Sequence, residues 1–129
     1  MLPIQRRYTA LFAGDNWSPL VPAEQPDVYA SLWEGDALRL WTLVNRSAKV
    51  VEGTLLRVPT LAEHRYFNLV DGHQASYRTE AGCVVLDGLI PPRGIGCFLS
   101  GTAKHLGDDF RSFLNQQAST NARANFKRL

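Results

Sequence analysis

His64, His73 and His105 are the only three imidazoles in the chain, and no two of them are close enough in sequence to form a metal-ligating pair. Each falls near an expected turn, where a solvated or locally hydrogen-bonded histidine is the simpler reading. The carboxylates of Glu34, Asp36, Glu63, Asp71 and Asp87 lie near strand ends. Paired acids could support glycosidic bond hydrolysis, but nothing in the spacing sets two of them across a cleft. Asp71-Gly72 is in itself a turn signal. A serine hydrolase would place its nucleophile in Gly-x-Ser-x-Gly, which is absent. The glycines of Gly94-Ile95-Gly96-Cys97 enter a strand rather than a helix, so they do not form a phosphate or dinucleotide loop. They read as a turn with close backbone packing. No catalytic residue, metal site or cofactor is expected.

The remaining candidates are aromatic and sulfur side chains. Trp33, Trp41 and Tyr77, with Tyr66 and Phe67, could stack on sugar rings, although strand aromatics more commonly fill cores. Tyr77, in a polar strand, is the one most expected at the surface. Cys83 and Cys97 each lie in an apolar strand-like segment and read as small buried thiols. Sequence alone leaves open whether they are bonded. Asn45-Arg46-Ser47 matches a glycosylation acceptor, which matters only for a secreted eukaryotic chain, and a side-chain-stabilised turn is the preferred reading.

These side chains need a scaffold, and 129 residues suffice for one domain with a real core. The apolar and charged fractions, 45% and 20%, are those of an ordinary globular protein. A net charge of +2, with basic residues clustered only at Arg123, Lys127 and Arg128, gives no footprint for nucleic acid. No apolar run approaches the length of a membrane span. The N-terminus carries no apolar stretch after its charges, so it is not read as a secretory signal, and the cytoplasm is the default location.

Ile4, Tyr8, Leu11 and Phe12 share one helical face, which predicts a short amphipathic helix over residues 3–13 stopped at Gly14. Pro19, Pro22 and Pro26 suggest an extended connector over 15–27, whose Trp17, Leu20 and Val21 are too apolar for a free linker. They should lie in a groove on this domain or on another. Strands are expected at 28–33, 38–44, 50–58, 65–70, 74–79, 83–89 and 95–100, with Gly53 as a bulge or close-packing point in the third and 74–79 as a polar edge. Strands at short, regular spacing with Gly and Pro turns indicate an all-β, antiparallel Greek-key-type sandwich of about seven to eight strands. A helix capped at Asp108 or Asp109 should follow, with Phe110, Phe113 and Leu114 on its apolar face and a frayed or linker-like end from Gln116. The expected units are 1–27 (helix and connector), 28–101 (sandwich) and 102–129 (helix and tail).

Four segments in order carry a family resemblance: Leu40-Trp41-Thr42-Leu43-Val44-Asn45-Arg46-Ser47, Gly53-Thr54-Leu55, Arg65-Tyr66-Phe67-Asn68-Leu69-Val70-Asp71-Gly72, and Leu89-Ile90-Pro91-Pro92-Arg93-Gly94-Ile95-Gly96-Cys97-Phe98. Together they resemble the C-terminal β-sandwich of multi-domain glycoside hydrolases over residues 28–100. That resemblance implies a non-catalytic accessory domain packed on a catalytic (β/α) barrel that holds the reaction. The barrel is absent from this chain, so no catalytic residue carries over. Tyr8, Leu11, Phe12, Trp17 and Leu20 would then form the interdomain packing surface, with a neighbouring catalytic domain as the partner. A carbohydrate-binding module using Trp33, Trp41 and Tyr77 is the alternative. A self-associating domain that pairs through edge strands, and a small enzyme built from loop acids and a histidine, are further readings.

Overall fold

The computed structural model describes residues 2–35 and 37–127, with side chains up to residue 120. The Asp36 carboxylate and the basic tail residues Arg123, Lys127 and Arg128 lie outside the described side chains. Two short helices, α1 (Leu2–Arg7) and α2 (Thr9–Phe12), precede the strands. The nine strands are β1 (Trp17–Val21), β2 (Val28–Gly35), β3 (Leu38–Asn45), β4 (Val51–Pro59), β5 (Arg65–Asn68), β6 (His73–Gln74), β7 (Ser76–Glu80), β8 (Cys83–Ile90) and β9 (Ile95–Gly101). Helices α3 (Ala103–Leu106) and α4 (Phe110–Lys127) follow. The strands form a β-sandwich of two antiparallel sheets, one of six strands in the order β1-β2-β3-β9-β5-β6 and one of three in the order β4-β8-β7. Strand β9 inserts between β3 and β5, so the chain is not a simple meander.

Strict alternation along the central strands creates two cores. On β3, Trp41 and Leu43 point between the sheets, where they meet Phe98, Leu55, Leu56, Val84, Leu86 and Ile90. On the opposite face Leu40, with Cys97 and Leu99 of β9, meets Ile4 and Tyr8 of the first helical turns and Leu106, Phe110 and Phe113 of α3 and α4. The six-stranded sheet is thus covered on both sides, which explains why β3 reads as a mixture of apolar residues rather than a clean alternation.

Several elements depart from expectation for identifiable reasons. The first helix breaks at Tyr8, where the Thr9 hydroxyl donates to the carbonyls of Gln5 and Arg6 and competes with the helical ladder. The proline-rich connector contains a strand. Trp17 and Ser18 pair with Trp33 and Leu32 of β2, the register then slips by one, and Val21 pairs with Ala30. Pro19 and Leu20 occupy that irregularity, with Leu20 at φ 54°. Proline is tolerated there because β1 is an edge strand that needs few of its N–H groups. In β4 the extra residue is Leu55, not Gly53, which stays in register opposite Gly88. The bulge turns Leu55 and Leu56 into the same core. The expected strand at 74–79 divides at buried Ala75: β6 pairs with β5 in the large sheet, and β7 pairs with β8 in the small one. Nine strands replace the expected seven to eight because of β1 and this division.

The C-terminal helix continues well past Gln116, where fraying was expected. Gln117 is buried and its amide donates to the Leu69 carbonyl at 2.8 Å, which ties α4 to the β5–β6 turn. Arg7 fastens the other end through two bonds to Asp109, at 2.9 and 3.0 Å, and one to the Leu106 carbonyl. That pairing holds the Asp109 carboxyl below its ordinary range.

The β5–β6 turn offers a direct test of this contact. Gly72 has φ +77°, and a Cβ there would lie 2.2 Å from the Ala118 nitrogen and 2.5 Å from the Leu114 carbonyl oxygen. Gly72→Ala should therefore cost about 3 kcal/mol or more through strain and overpacking. Urea unfolding is the measurement, and a loss below about 1 kcal/mol would mean that α4 does not sit on this turn.

Candidate functional site

The outer face of the three-stranded sheet is built for water. Arg57 and Arg78 rise from it, bonded to Glu24, Glu80 and Asp87 at 2.7–3.1 Å in their closest contacts, and Thr54 joins the same network. Their stems screen Val85, which is fully buried beneath them. A partner seated there would have to displace these ion pairs.

The outer face of the six-stranded sheet is apolar, and the helices leave its β1 edge open. Trp17 and Trp33 are directly opposed in the β1–β2 ladder, so their rings fall on one face and stack with centroids 6.0 Å apart at 23°. Phe12 of α2 meets Trp33 edge-on at 4.9 Å and 66°. Leu11 reaches from the same helix toward Gly35 at the end of β2. Trp17 is 52% exposed and Leu20, held out by the β1 irregularity, is 72% exposed. The fold thus gathers Leu11, Phe12, Trp17 and Trp33 at one edge, with Leu20 on the adjoining strand segment.

The other candidates lie elsewhere. Trp41 is only 2% exposed, within the core between the sheets, and cannot stack on a sugar. Its position opposite Phe98 on the central strands dictates that burial. Tyr8 is buried edge-on against Phe113 within this chain, so it is not free for an interdomain contact. Tyr77 is 43% exposed but belongs to the small sheet and leans on Tyr66, away from the tryptophan pair. The two cysteines are free. Cys97 lies in the helix-side core, and burial pushes its thiol up to about 12.

The Asn45-Arg46-Ser47 segment is a structural turn. Asn45 is fully buried; its amide donates to the carbonyls of Lys49, Ile90 and Pro91, and its oxygen accepts from the Ser47 backbone and hydroxyl. The amide nitrogen that a glycan would modify is enclosed by these bonds.

His64 and His105 line one hollow together with Glu63, and His73 lies apart from them. His105 bonds Thr102, and His73 lies 3.6 Å from Asp71 on the far side of the sheet. Half-buried His64 has its Nδ1 2.6 Å from the hydroxyl of fully buried Ser100. Arg39, paired to Glu34 at 3.6 Å, stands opposite Ser100 on β3, and its Nη1 is buried with no hydrogen-bond partner among the described residues. Burial, then Arg39, then His105 hold the His64 imidazole below its ordinary pKa. Sequence reasoning gave no sign of this Arg39–His64–Ser100 group, because its members come from β3, the β4–β5 loop and β9. Among the described residues no group of three potential metal ligands converges.

No family model matches this sequence, and no curated protein matches it. Among solved structures the chain is similar to the glycoside hydrolase family 30 subfamily 8 xylanase Xyn30A from Clostridium acetobutylicum, with 13% identity over 69% of this chain and a TM-score of 0.43. It is also similar to a GH30 endoxylanase from Clostridium papyrosolvens C71, with 12% identity over 78% of this chain and a TM-score of 0.45. The match spans 24% of the first enzyme and 27% of the second, so the chain corresponds to about a quarter of either one.

Two predictions test these placements. Trp41→Ala should cost about 3–5 kcal/mol in urea unfolding, whereas Trp17→Ala should cost less than about 1 kcal/mol, since it empties no core. Equal losses would place Trp17 in the core. The second concerns His64, whose folded pKa lies below its unfolded value of 6.5. Unfolding then takes up a proton, so stability from this residue is complete above pH 6.5, declines as the pH falls below it, and levels off beneath the lowered folded value. Melting temperatures at pH 7.5 and 5.5 should differ more for the wild type than for His64→Gln; an unchanged difference would remove the effect.

Proposed function

We propose that this chain is a non-catalytic accessory β-sandwich domain that packs on, and stabilises, a neighbouring glycoside hydrolase-like catalytic domain through its aromatic β1 edge. The observation that carries the reading is the Phe12–Trp33–Trp17 ring stack, half open at Trp17 and flanked by exposed Leu20. Large apolar groups gathered on one edge are the usual core of a protein–protein contact. The ion-paired outer face of the small sheet leaves that edge as the less costly one to cover. The order of strand and turn motifs over residues 28–100 adds the resemblance to glycoside hydrolase sandwiches. Within this reading the chain supplies no catalytic group, and the reaction belongs to the neighbour.

The half-open Trp17 ring also favours a second reading, in which the same edge stacks on sugar rings. One pair of measurements separates the two. In the protein encoded by the complete reading frame, Trp17→Ala with Leu20→Ser should lower the melting temperature of the whole by several degrees while leaving this chain alone nearly unchanged. Titration of this chain with xylo-, cello- and manno-oligosaccharides should leave its tryptophan fluorescence unaltered. A saturable fluorescence change lost in Trp17→Ala would favour the sugar reading. Absence of any effect of the double substitution on the whole protein would sink the packing reading.

A further inference from the structure

A second surface lies two strands beyond β2, at the mouth of the sandwich. Strand β5 pairs with β9 only from Arg65 opposite Gly101 to Asn68 opposite Phe98, and its last contact is the Leu69 N–H to the Cys97 carbonyl. The chain then turns away through Val70, Asp71 and Gly72. Among the described residues no strand pairs with the start of β9 on that side. A groove of about 870 Å³ occupies this lane, floored by Leu55, Ile90 and Phe98.

The backbone of β9 faces this groove. The Asn45 N–H donates to the Gly94 carbonyl, which makes Gly94 and, by strand alternation, Gly96 the residues that bond β3. Ile95 lies between them, so its N–H and C=O point the other way, into the vacated lane. Neither meets a backbone partner among the described residues. Gly96 keeps the approach low, since a Cβ there would lie 3.2 Å from Ile90. The floor side chains are fully buried, and the Ile95 side chain is partly exposed beside the opening.

Charge at one end of the groove is unbalanced. Arg93 lines it, and its guanidinium and amide bond the Arg46 and Ser47 carbonyls of the adjoining turn, which also carries Lys49. Among the described residues no carboxylate forms an ion pair with Arg46, Lys49 or Arg93, in contrast to the fully paired arginines of the small sheet. The opposite wall carries Asp71 and His73, 3.6 Å apart, so the anion-attracting end is the Arg93 end.

We propose that this groove binds a short extended peptide segment bearing a carboxylate, which adds to the free edge of β9 at Ile95, rests a small apolar side chain on the accessible rim of Val70, Leu89 and Ile95, and presents its acid to Arg93. Strand addition supplies main-chain bonds, the apolar rim selects the side chain, and the cation fixes polarity. The site is separate from the aromatic β1 edge and does not depend on it.

The probe is a capped six-residue peptide of alternating valine and threonine ending in aspartate, added to isotopically labelled protein and followed by amide NMR shifts. Shifts should centre on the Ile95, Gly96 and Arg93 amides and saturate. Methylating the peptide nitrogens on alternate residues, in both phases, should weaken binding about five- to tenfold in the phase that faces β9 and little in the other. Arg93→Ala, outside the core, should weaken it about threefold or more and remove its salt dependence. Ile95→Pro removes the N–H that faces the lane without breaking the β3 ladder and should abolish binding; Arg93→Ala carries the test should that variant melt early. Equal affinity for both methylated peptides, shifts that centre on Trp17 instead, no shift at millimolar peptide, or oligosaccharides moving these amides while the peptide does not, would each overturn the proposal.

Discussion

The structure depends on the two-sided burial of β3 and β9. Opposed pairs on these strands face alternately into two cores: Trp41 with Phe98 between the sheets, and Leu40 with Leu99 beneath the helices. A strand pair buried on both faces cannot slip by one residue, because each core would receive the side chains meant for the other. The same constraint makes the helices integral. Without α1, α3 and α4, Leu40, Leu99 and Cys97 would be left in water, at a cost of about 1.5–3 kcal/mol for each large side chain. Ile4 and Tyr8 before the strands, and Leu106, Phe110 and Phe113 after them, therefore complete one of the two cores of the sandwich.

Polar groups fasten this arrangement where apolar contact cannot choose a register. Asn45 joins the end of β3 to the end of β8 and the Pro91 carbonyl, Gln117 fixes α4 to the β5–β6 turn, and Arg7 ties the first helix to Asp109. Each is a long-range contact made by a side chain to a backbone carbonyl or a carboxylate. Burying an amide is favourable only when its donors are satisfied, so these contacts penalise alternatives more than they add to stability. The Arg39–His64–Ser100 group differs, because a buried guanidinium nitrogen and the Tyr66 hydroxyl lack partners among the described residues. That end of the sandwich is less well satisfied than the Asn45 end.

Sequence carried the strand grammar well, since turns at Asp71-Gly72 and Pro91-Pro92 and short apolar runs bounded by glycine and proline are local properties. It failed where tertiary context decided the outcome. Three prolines suggested a connector, yet an edge strand needs few N–H groups and β1 formed around Pro19. Gly53 looked like the bulge because glycine permits one, but the doubled leucines at 55 and 56 both required the core. Polar composition past Gln116 implied fraying, yet one buried amide and a close glycine hold the helix down. Among site residues, Trp17, Phe12 and Leu11 were identifiable as apolar groups needing cover, and their convergence with Trp33 was not, because it rests on the β1 pairing. Trp41 was misleading for the opposite reason: its type suited a platform, and its strand position buried it.

The same reasoning explains why the two exposed surfaces differ in what they can recognise. The β1 edge presents Trp17, stacked on Trp33, and the exposed Leu20, so a partner covering it would be recognised by area and shape. At β9 the Ile95 backbone faces the open lane, so the proposed peptide would be recognised there by directed hydrogen bonds. A shortened β5 is the cause: in its register Asp71 would stand opposite Ile95, and the paired strand stops before it. Gly72 follows in the turn that leaves the sheet, and its left-handed conformation without a Cβ lets α4 lie against that turn. The turn that carries the chain away from β9 is therefore also the one on which the C-terminal helix rests.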